Sequence, residues 1–177
     1  MRFLFLARAA RYKGLPDVLA ALLRVGRPSW GLTVAGGVHP TEADTVTRLL
    51  AELPLQAVHM IGQVRHGDVP GLMGGCDVVL VPSRYENFCN VALEALAAGK
   101  AVVGARCGGI PDLVLHEWNG LLFEPGDVDG LAGALCRLIA NRELVHVYGR
   151  RGRARAAAYD WPSIATATEN VLRGVAC

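Results

Sequence analysis

Val78-Val79-Leu80-Val81-Pro82-Ser83-Arg84-Tyr85-Glu86-Asn87-Phe88-Cys89-Asn90-Val91-Ala92-Leu93-Glu94-Ala95-Leu96-Ala97-Ala98-Gly99-Lys100, running on into Ala101-Val102-Val103-Gly104, decides the fold. An apolar, β-branched run leads into a polar loop, then into a helical segment at 91–98 that Gly99-Lys100 closes, and then into a second apolar run. Two strands flanking one helix form a parallel pair, because parallel strands need a crossover of a dozen or more residues. Working outward, runs at 3–7, 32–35, 57–61 and 121–123 alternate with amphipathic stretches, so that with 78–81 and 101–104 six parallel strands are expected. The runs are almost wholly apolar instead of alternating, which asks for helices on both faces of the sheet. The expected architecture is therefore α/β, a doubly wound, Rossmann-like six-stranded parallel sheet.

Helix ends support the same reading. Pro16-Asp17 opens one helix, Thr41-x-x-Asp44 has the form of a capping box, and 127–140, 142–158 and 161–174 read as three consecutive helices with Pro162 in the first turn of the last. Neither a repeat nor a linker interrupts the chain, so 1–177 reads as one domain.

Composition excludes several function classes. Hydrophobic residues make up 52% and glycines number 21, which suits aliphatic elements joined by tight turns and not disorder. A net charge of +2 gives no general attraction to nucleic acid, so any anion site is local. No apolar run comes near the ~20 residues that cross a bilayer, 78–82 included, and 1–6 is followed directly by Arg8 and Arg11, unlike a signal peptide. Cys76, Cys89, Cys107, Cys136 and Cys177 form no Cys-x-x-Cys pair, which indicates neither a disulfide framework nor a zinc site. A reducing cytoplasm is the expected location, and the five histidines show no metal spacing and read as surface or satisfied core residues.

In an open α/β sheet the ligand crevice lies beyond the carboxyl ends of the strands. There the loop after 78–81 carries Glu86, and Glu94 follows about one turn into the next helix, so the two flank a helix N-terminus suited to a diphosphate. Carboxylates repel phosphate but accept hydrogen bonds from hydroxyls, which points to a sugar on one side and a ribose on the other. Just after the first strand, Arg8 and Lys13 supply two cations that can clamp a diphosphate without metal.

Taken together these residues resemble the C-terminal domain of family-four retaining glycosyltransferases of the GT-B fold. The similarity covers nearly the whole chain. It rests on Arg-x4-Lys-Gly at Arg8 to Gly14, Pro-Ser-x2-Glu at Pro82 to Glu86, and Glu-x7-Glu at Glu86 and Glu94 with its Ala-Leu-Ala-Ala-Gly-Lys continuation. Gly108-Gly109-Ile110-Pro111-Asp112 and the run Asn119 to Asp127 match as well. The resemblance implies that Arg8 and Lys13 contact the phosphates of a nucleoside-diphosphate sugar, Glu86 the transferred sugar and Glu94 the ribose. It implies that the amides of Phe88, Cys89 and Asn90 receive the distal phosphate, that Ser83 and Gly36 border the ligand, and that Gln63 and Val64 receive the base. No cofactor other than the sugar donor is expected, and UDP, GDP and ADP remain open as its nucleotide.

Two positions depart from the family's pattern: Cys89 stands where many relatives have Gly, and Ala7 precedes Arg8 in place of Gly. The resemblance also implies an N-terminal domain that binds the acceptor, and the expectation is that this domain is missing here. The acceptor side, a glycan or a lipid-linked molecule, is accordingly expected from a missing domain or a partner chain. Tyr159-Asp160-Trp161 resembles the point where the family's terminal helix, here 161–177, crosses to that domain; without it, Ile164 and Val171 are free for self-association into a homodimer.

Three other functions compete with a glycosyl transfer half. A non-catalytic nucleotide-sugar-binding module or subunit fits the same residues. A nicotinamide-linked oxidoreductase is disfavoured because Ala9-Ala10-Arg11 replaces Gly-x-Gly-x-x-Gly, and a glycoside hydrolase because the two glutamates are assigned to opposite ends of a nucleotide. Arg150, Arg151, Arg153 and Arg155 read as a solvated helix face, with peripheral contact to anionic lipid on the inner face of a membrane as the alternative. Cys89 has no nearby histidine to make it a nucleophile.

Overall fold

The computed structural model describes residues 1–26, 30–54 and 56–175; Cys177 lies outside them. The elements are β1 (Arg2–Leu6), α1 (Leu15–Val25), β2 (Gly31–Ala35), α2 (Ala43–Glu52), β3 (Val58–Gly62), α3 (Val69–Gly75), β4 (Val78–Val81) and α4 (Asn90–Ala97). They continue with β5 (Ala101–Ala105), α5 (Ile110–Leu113), β6 (Gly120–Phe123), α6 (Val128–Ala140), α7 (Arg142–Ala156) and α8 (Trp161–Val175). All five strand pairings are parallel, in the order β3-β2-β1-β4-β5-β6. The order reverses between β1 and β4, and that reversal opens a crevice at their carboxyl ends.

Two apolar layers sandwich the sheet, as the continuous strand runs require. Phe3, Phe5, Val34, Leu80, Val103 and Phe123 point to one face and meet α1 and α6 through Leu15, Leu19, Leu22 and Leu135. Leu4, Val79, Val81 and Val102 point to the other and meet Ala92, Leu96, Ile110 and Leu113. Fully burying each Val, Leu or Phe side chain contributes about 1.5–3 kcal/mol, so this alternation is what holds the layers together. β3 departs from the expectation: His59, Met60, Ile61 and Gly62 are exposed, whereas β6, the other edge strand, is buried along its length against α6 and α7.

Side-chain caps set several helix starts. Asp127 accepts from the Gly130 amide and Asn141 from the Leu144 amide, opening α6 and α7. The expected capping box at Thr41 does not form. Instead His39 Nδ1 accepts from the Thr41 amide, Pro40–Glu42 makes a 3₁₀ turn, and α2 begins at Ala43, because Pro40 tightens the chain before an α-turn can start at Thr41. The three expected C-terminal helices form as α6, α7 and α8, with a 3₁₀ turn, Ala157–Tyr159, between the last two.

Tyr148 is 1% exposed, and its hydroxyl has no hydrogen-bond partner among the described residues. An unsatisfied buried hydroxyl costs about 1–3 kcal/mol. Tyr148→Phe is therefore expected to stabilise the protein by about 1 kcal/mol, raising Tm by roughly 2–4 °C; a lowered midpoint in thermal denaturation would contradict this.

Candidate functional site

The β1 and β4 loops meet at the switch point through backbone. Gly14 adopts φ 72, and a Cβ there would lie 2.3 Å from the Pro82 carbonyl oxygen, so the close approach requires glycine. One turn away the Arg84 amide donates to the Tyr12 carbonyl at 2.7 Å. Lys13, caught between these two contacts, is thereby placed against Glu86, with which it forms an ion pair. Ser83 Oγ donates to the same Glu86 oxygen at 2.9 Å. The pair is largely sheltered, with side-chain exposures of 23% and 14%, so its attraction is screened less than a surface pair's. Behind it, Arg84 donates two-pronged to the buried Asp17 carboxylate at 2.9–3.2 Å, and Asp17 in turn holds the guanidinium's pKa above its ordinary value.

The loop then turns at Cys89, whose left-handed conformation (φ 72, ψ 71) makes it the N-cap of α4. Its carbonyl accepts from the Ala92 and Leu93 amides, which starts the helix. The Cys89 thiol is buried and its pKa is pushed up to about 11, chiefly by desolvation. Burial thus favours the protonated thiol and works against a nucleophilic role. A second loop braces this turn: Gly108 (φ 51) would place a Cβ 1.7 Å from the Glu86 carbonyl oxygen, the Gly109 amide donates to the Asn87 carbonyl at 2.8 Å, and Cys107 Sγ donates to the Ser83 carbonyl at 2.9 Å.

Two neighbouring clefts share the rim. One, of about 740 Å³, contains Lys13, Glu86, Phe88, Cys89 and Asn90, together with exposed Tyr12 and Tyr85. The other, of about 370 Å³, contains Arg8, Gly36, Gln63 and Val64. Arg8 and Lys13 thus open onto different clefts, and Arg8 makes no ion pair with any described residue, whereas Lys13 is engaged by Glu86. Gly36 is glycine because of the chain itself, since a Cβ would fall 2.0 Å from the Ala7 carbonyl oxygen. Ser83 is buried beneath Glu86. Glu94 is half-buried on α4, the fifth residue of that helix, and borders neither cleft.

Sequence reading missed Tyr12, Tyr85 and the Asp17–Arg84 pair. The two tyrosines carried a usable signal, being large aromatic residues inside polar loop motifs; the Asp17–Arg84 pair carried none, because its members lie 67 residues apart. His39 and His116 are structural, the latter accepting from the Leu122 amide at 2.9 Å. Among the described residues no group of three His, Cys, Asp or Glu side chains could hold a metal ion, and no helix is long and apolar enough to cross a membrane.

Residues 2–155 match the family described as glycosyl transferases group 1. The glycogen synthase of Mycobacterium tuberculosis is 34% identical over 172 residues, covering 95% of this chain and 41% of that protein. The D-inositol 3-phosphate glycosyltransferase of Saccharomonospora viridis is 35% identical, covering 95% and 42%. The chain therefore spans about two fifths of the length of these curated relatives. Among solved structures, sucrose-phosphate synthase from Thermosynechococcus elongatus superposes with a TM-score of 0.86 at 31% identity, covering 98% of this chain and 45% of that one. Anabaena HepE in complex with UDP gives 0.81 at 27% identity, covering 99% and 48%. The sheet and its helices are those of GT-B glycosyltransferases.

Gly108→Ala is expected to destabilise the protein by about 2 kcal/mol or more, combining a left-handed backbone with overlap onto the Glu86 carbonyl. Gly62→Ala, also at positive φ (70) but with no described atom within 4 Å of the added Cβ, lacks the overlap, and chemical denaturation should show Gly108→Ala as the more destabilised of the two. Iodoacetamide at pH 8, followed by mass spectrometry, is expected to alkylate the exposed Cys136 well before Cys89 or Cys76, both of whose thiols are pushed up to about 11 by burial.

Proposed function

The chain belongs to the glycosyl transferases group 1 family, and from that membership we propose that it holds a nucleoside-diphosphate sugar at this rim as the donor half of a retaining glycosyltransferase. The observation that carries the reading is the Lys13–Glu86–Ser83 cluster beside the amino end of α4. In the free protein Lys13 neutralises Glu86. When donor arrives, the ammonium turns to the diphosphate and Glu86 becomes available to sugar hydroxyls. Two unit charges of like sign 4 Å apart repel by about 4 kcal/mol at an effective dielectric of 20, so a carboxylate beside a diphosphate needs a cation between them.

During transfer the bond between the anomeric carbon and the diphosphate oxygen breaks, and negative charge grows on the leaving group. Lys13 and the amides of Phe88, Cys89 and Asn90 stabilise that charge electrostatically, with Arg8 reaching in from the neighbouring cleft. In this assignment Gly36, Gln63 and Val64 border the base; the ribose role of Glu94, which lines neither cleft in the free protein, rests on the family resemblance alone. Retention of anomeric configuration rests on the family resemblance. The acceptor, a glycan or lipid-linked molecule, is bound by a further domain or a separate chain.

Side chains 161–174 are all exposed, with Trp161 at 83%. Such a helix suits an acceptor-binding partner, or a second copy of the chain in its absence. It also favours the second reading, a nucleotide-sugar-binding subunit that acts only beside another chain. Efficient turnover of a sugar donor by the purified chain alone would eliminate that reading.

UDP is the first ligand to test, since HepE was solved with UDP and with UDP-glucose. Calorimetric titration with UDP, GDP and ADP is expected to show a preference for one of them. Lys13→Ala should weaken the preferred diphosphate by about 1.5–3 kcal/mol, while Glu86→Gln should leave its affinity intact or improved. Unchanged affinity in Lys13→Ala would count against the cluster as the phosphate site.

A further inference from the structure

At the opposite end of the sheet, below the amino ends of β4 and β5, lies a third cavity of about 420 Å³ that the donor site does not use. It is bordered by Lys100, Arg142, His146, Arg150 and Arg153, with Glu143 at its edge. The floor is built where α7 lies directly on the turn after α4: a Cβ at Gly149 would fall 2.1 Å from the Gly99 carbonyl oxygen. Lys100 is anchored there by donating to the carbonyls of Cys76 at 3.0 Å and Gly74 at 3.3 Å, so it brings its charge without a carboxylate partner. Arg142, Arg150 and Arg153 form no ion pair with any described residue. Asp77, the other acid of the cavity, is taken up by Arg2 at 2.9 Å.

The four-arginine run of α7 is divided by the helix. Arg155 Nε donates to the Leu113 carbonyl and its guanidinium also to that of Asp112, while Arg151 donates to the Trp118 carbonyl and lies over the Trp118 ring. These two hold the β5–β6 connection in place. Arg150 and Arg153, three residues apart and so on one side of the helix, turn into the cavity instead. A run used as a lipid-facing strip would present all four to one plane.

We propose that this cavity binds a small phosphate ester, at a site separate from the donor rim. Four cations facing one recess, against a single uncompensated carboxylate, attract an anion. Guanidinium groups match the paired oxygens of a phosphate, and the volume is that of a small-molecule pocket. The side chain of Val145 and the Gly99 turn give the non-phosphate part of the ester a surface to rest on.

The test is a ¹⁵N-resolved NMR titration of the whole chain at constant ionic strength, with ribose 5-phosphate, inorganic phosphate and phosphatidylglycerol vesicles as separate probes. Ribose 5-phosphate is expected to move the amides of Lys100, Gly149, Arg150 and Arg153 saturably, and to do so more tightly than inorganic phosphate. The double variant Arg150→Gln/Arg153→Gln should weaken that response at least tenfold, and Glu143→Gln should tighten it severalfold, an opposite shift that loss of fold would not produce. Amides at 86–90 report the donor rim in the same spectra, so failure there and failure here are distinguishable. No saturable response, equal affinity for inorganic phosphate and the ester, indifference to the arginine substitutions, or a response to vesicles alone would each overturn the proposal.

Discussion

Everything at the rim depends on how closely two loop backbones approach where the strand order reverses. Gly14 lies against the Pro82 carbonyl, and Tyr12 and Arg84 join by a main-chain hydrogen bond. Any side chain at Gly14 would push the loops apart, and Lys13 would then lose the position from which it meets Glu86. The pair of buried Asp17 with half-exposed Arg84 ties the same two segments from behind through a two-pronged hydrogen bond. Geometry at the site is thus set by groups that never face the cleft.

A second layer of support comes from the β5–α5 turn. Gly108 and Gly109 lie directly on the backbone of the loop at 86–88, and Cys107 donates to Ser83, so the loop is held between two others. Phe88 packs on Tyr159 with ring centroids 6.0 Å apart, and the Tyr159 hydroxyl donates to the Asp112 carbonyl. The residue that leads into α8 therefore touches the same loop that caps α4. Movement of α8 would reach the loop at 86–90 through that aromatic contact.

α7 organises the opposite end. Gly149 and Gly152 let it press onto α4, and its arginines divide between clamping the β5–β6 connection and facing a basic recess. Charge that looks uniform along the sequence becomes two groups with different surroundings. A period of 3.6 residues per turn sends positions one apart to different faces.

Local sequence determined the elements. Continuous apolar runs, prolines at helix starts and glycines at their ends were sufficient to read six parallel strands with helices on both faces, and the motifs singled out the loops that carry Lys13, Glu86 and Cys89. Each of these signals is contained within a few residues of chain. Tertiary structure decided what spans longer distances: the β3-β2-β1-β4-β5-β6 order that makes the β1 and β4 loops neighbours, the pairing of Lys13 with Glu86, the separation of Arg8 into its own cleft, and the position of Glu94 outside both. Thr41 failed as a cap for the same reason in miniature, because His39 and Pro40 had already set the turn. Spacing along a chain states which residues share a loop or a helix face; only packing states which loops share a wall.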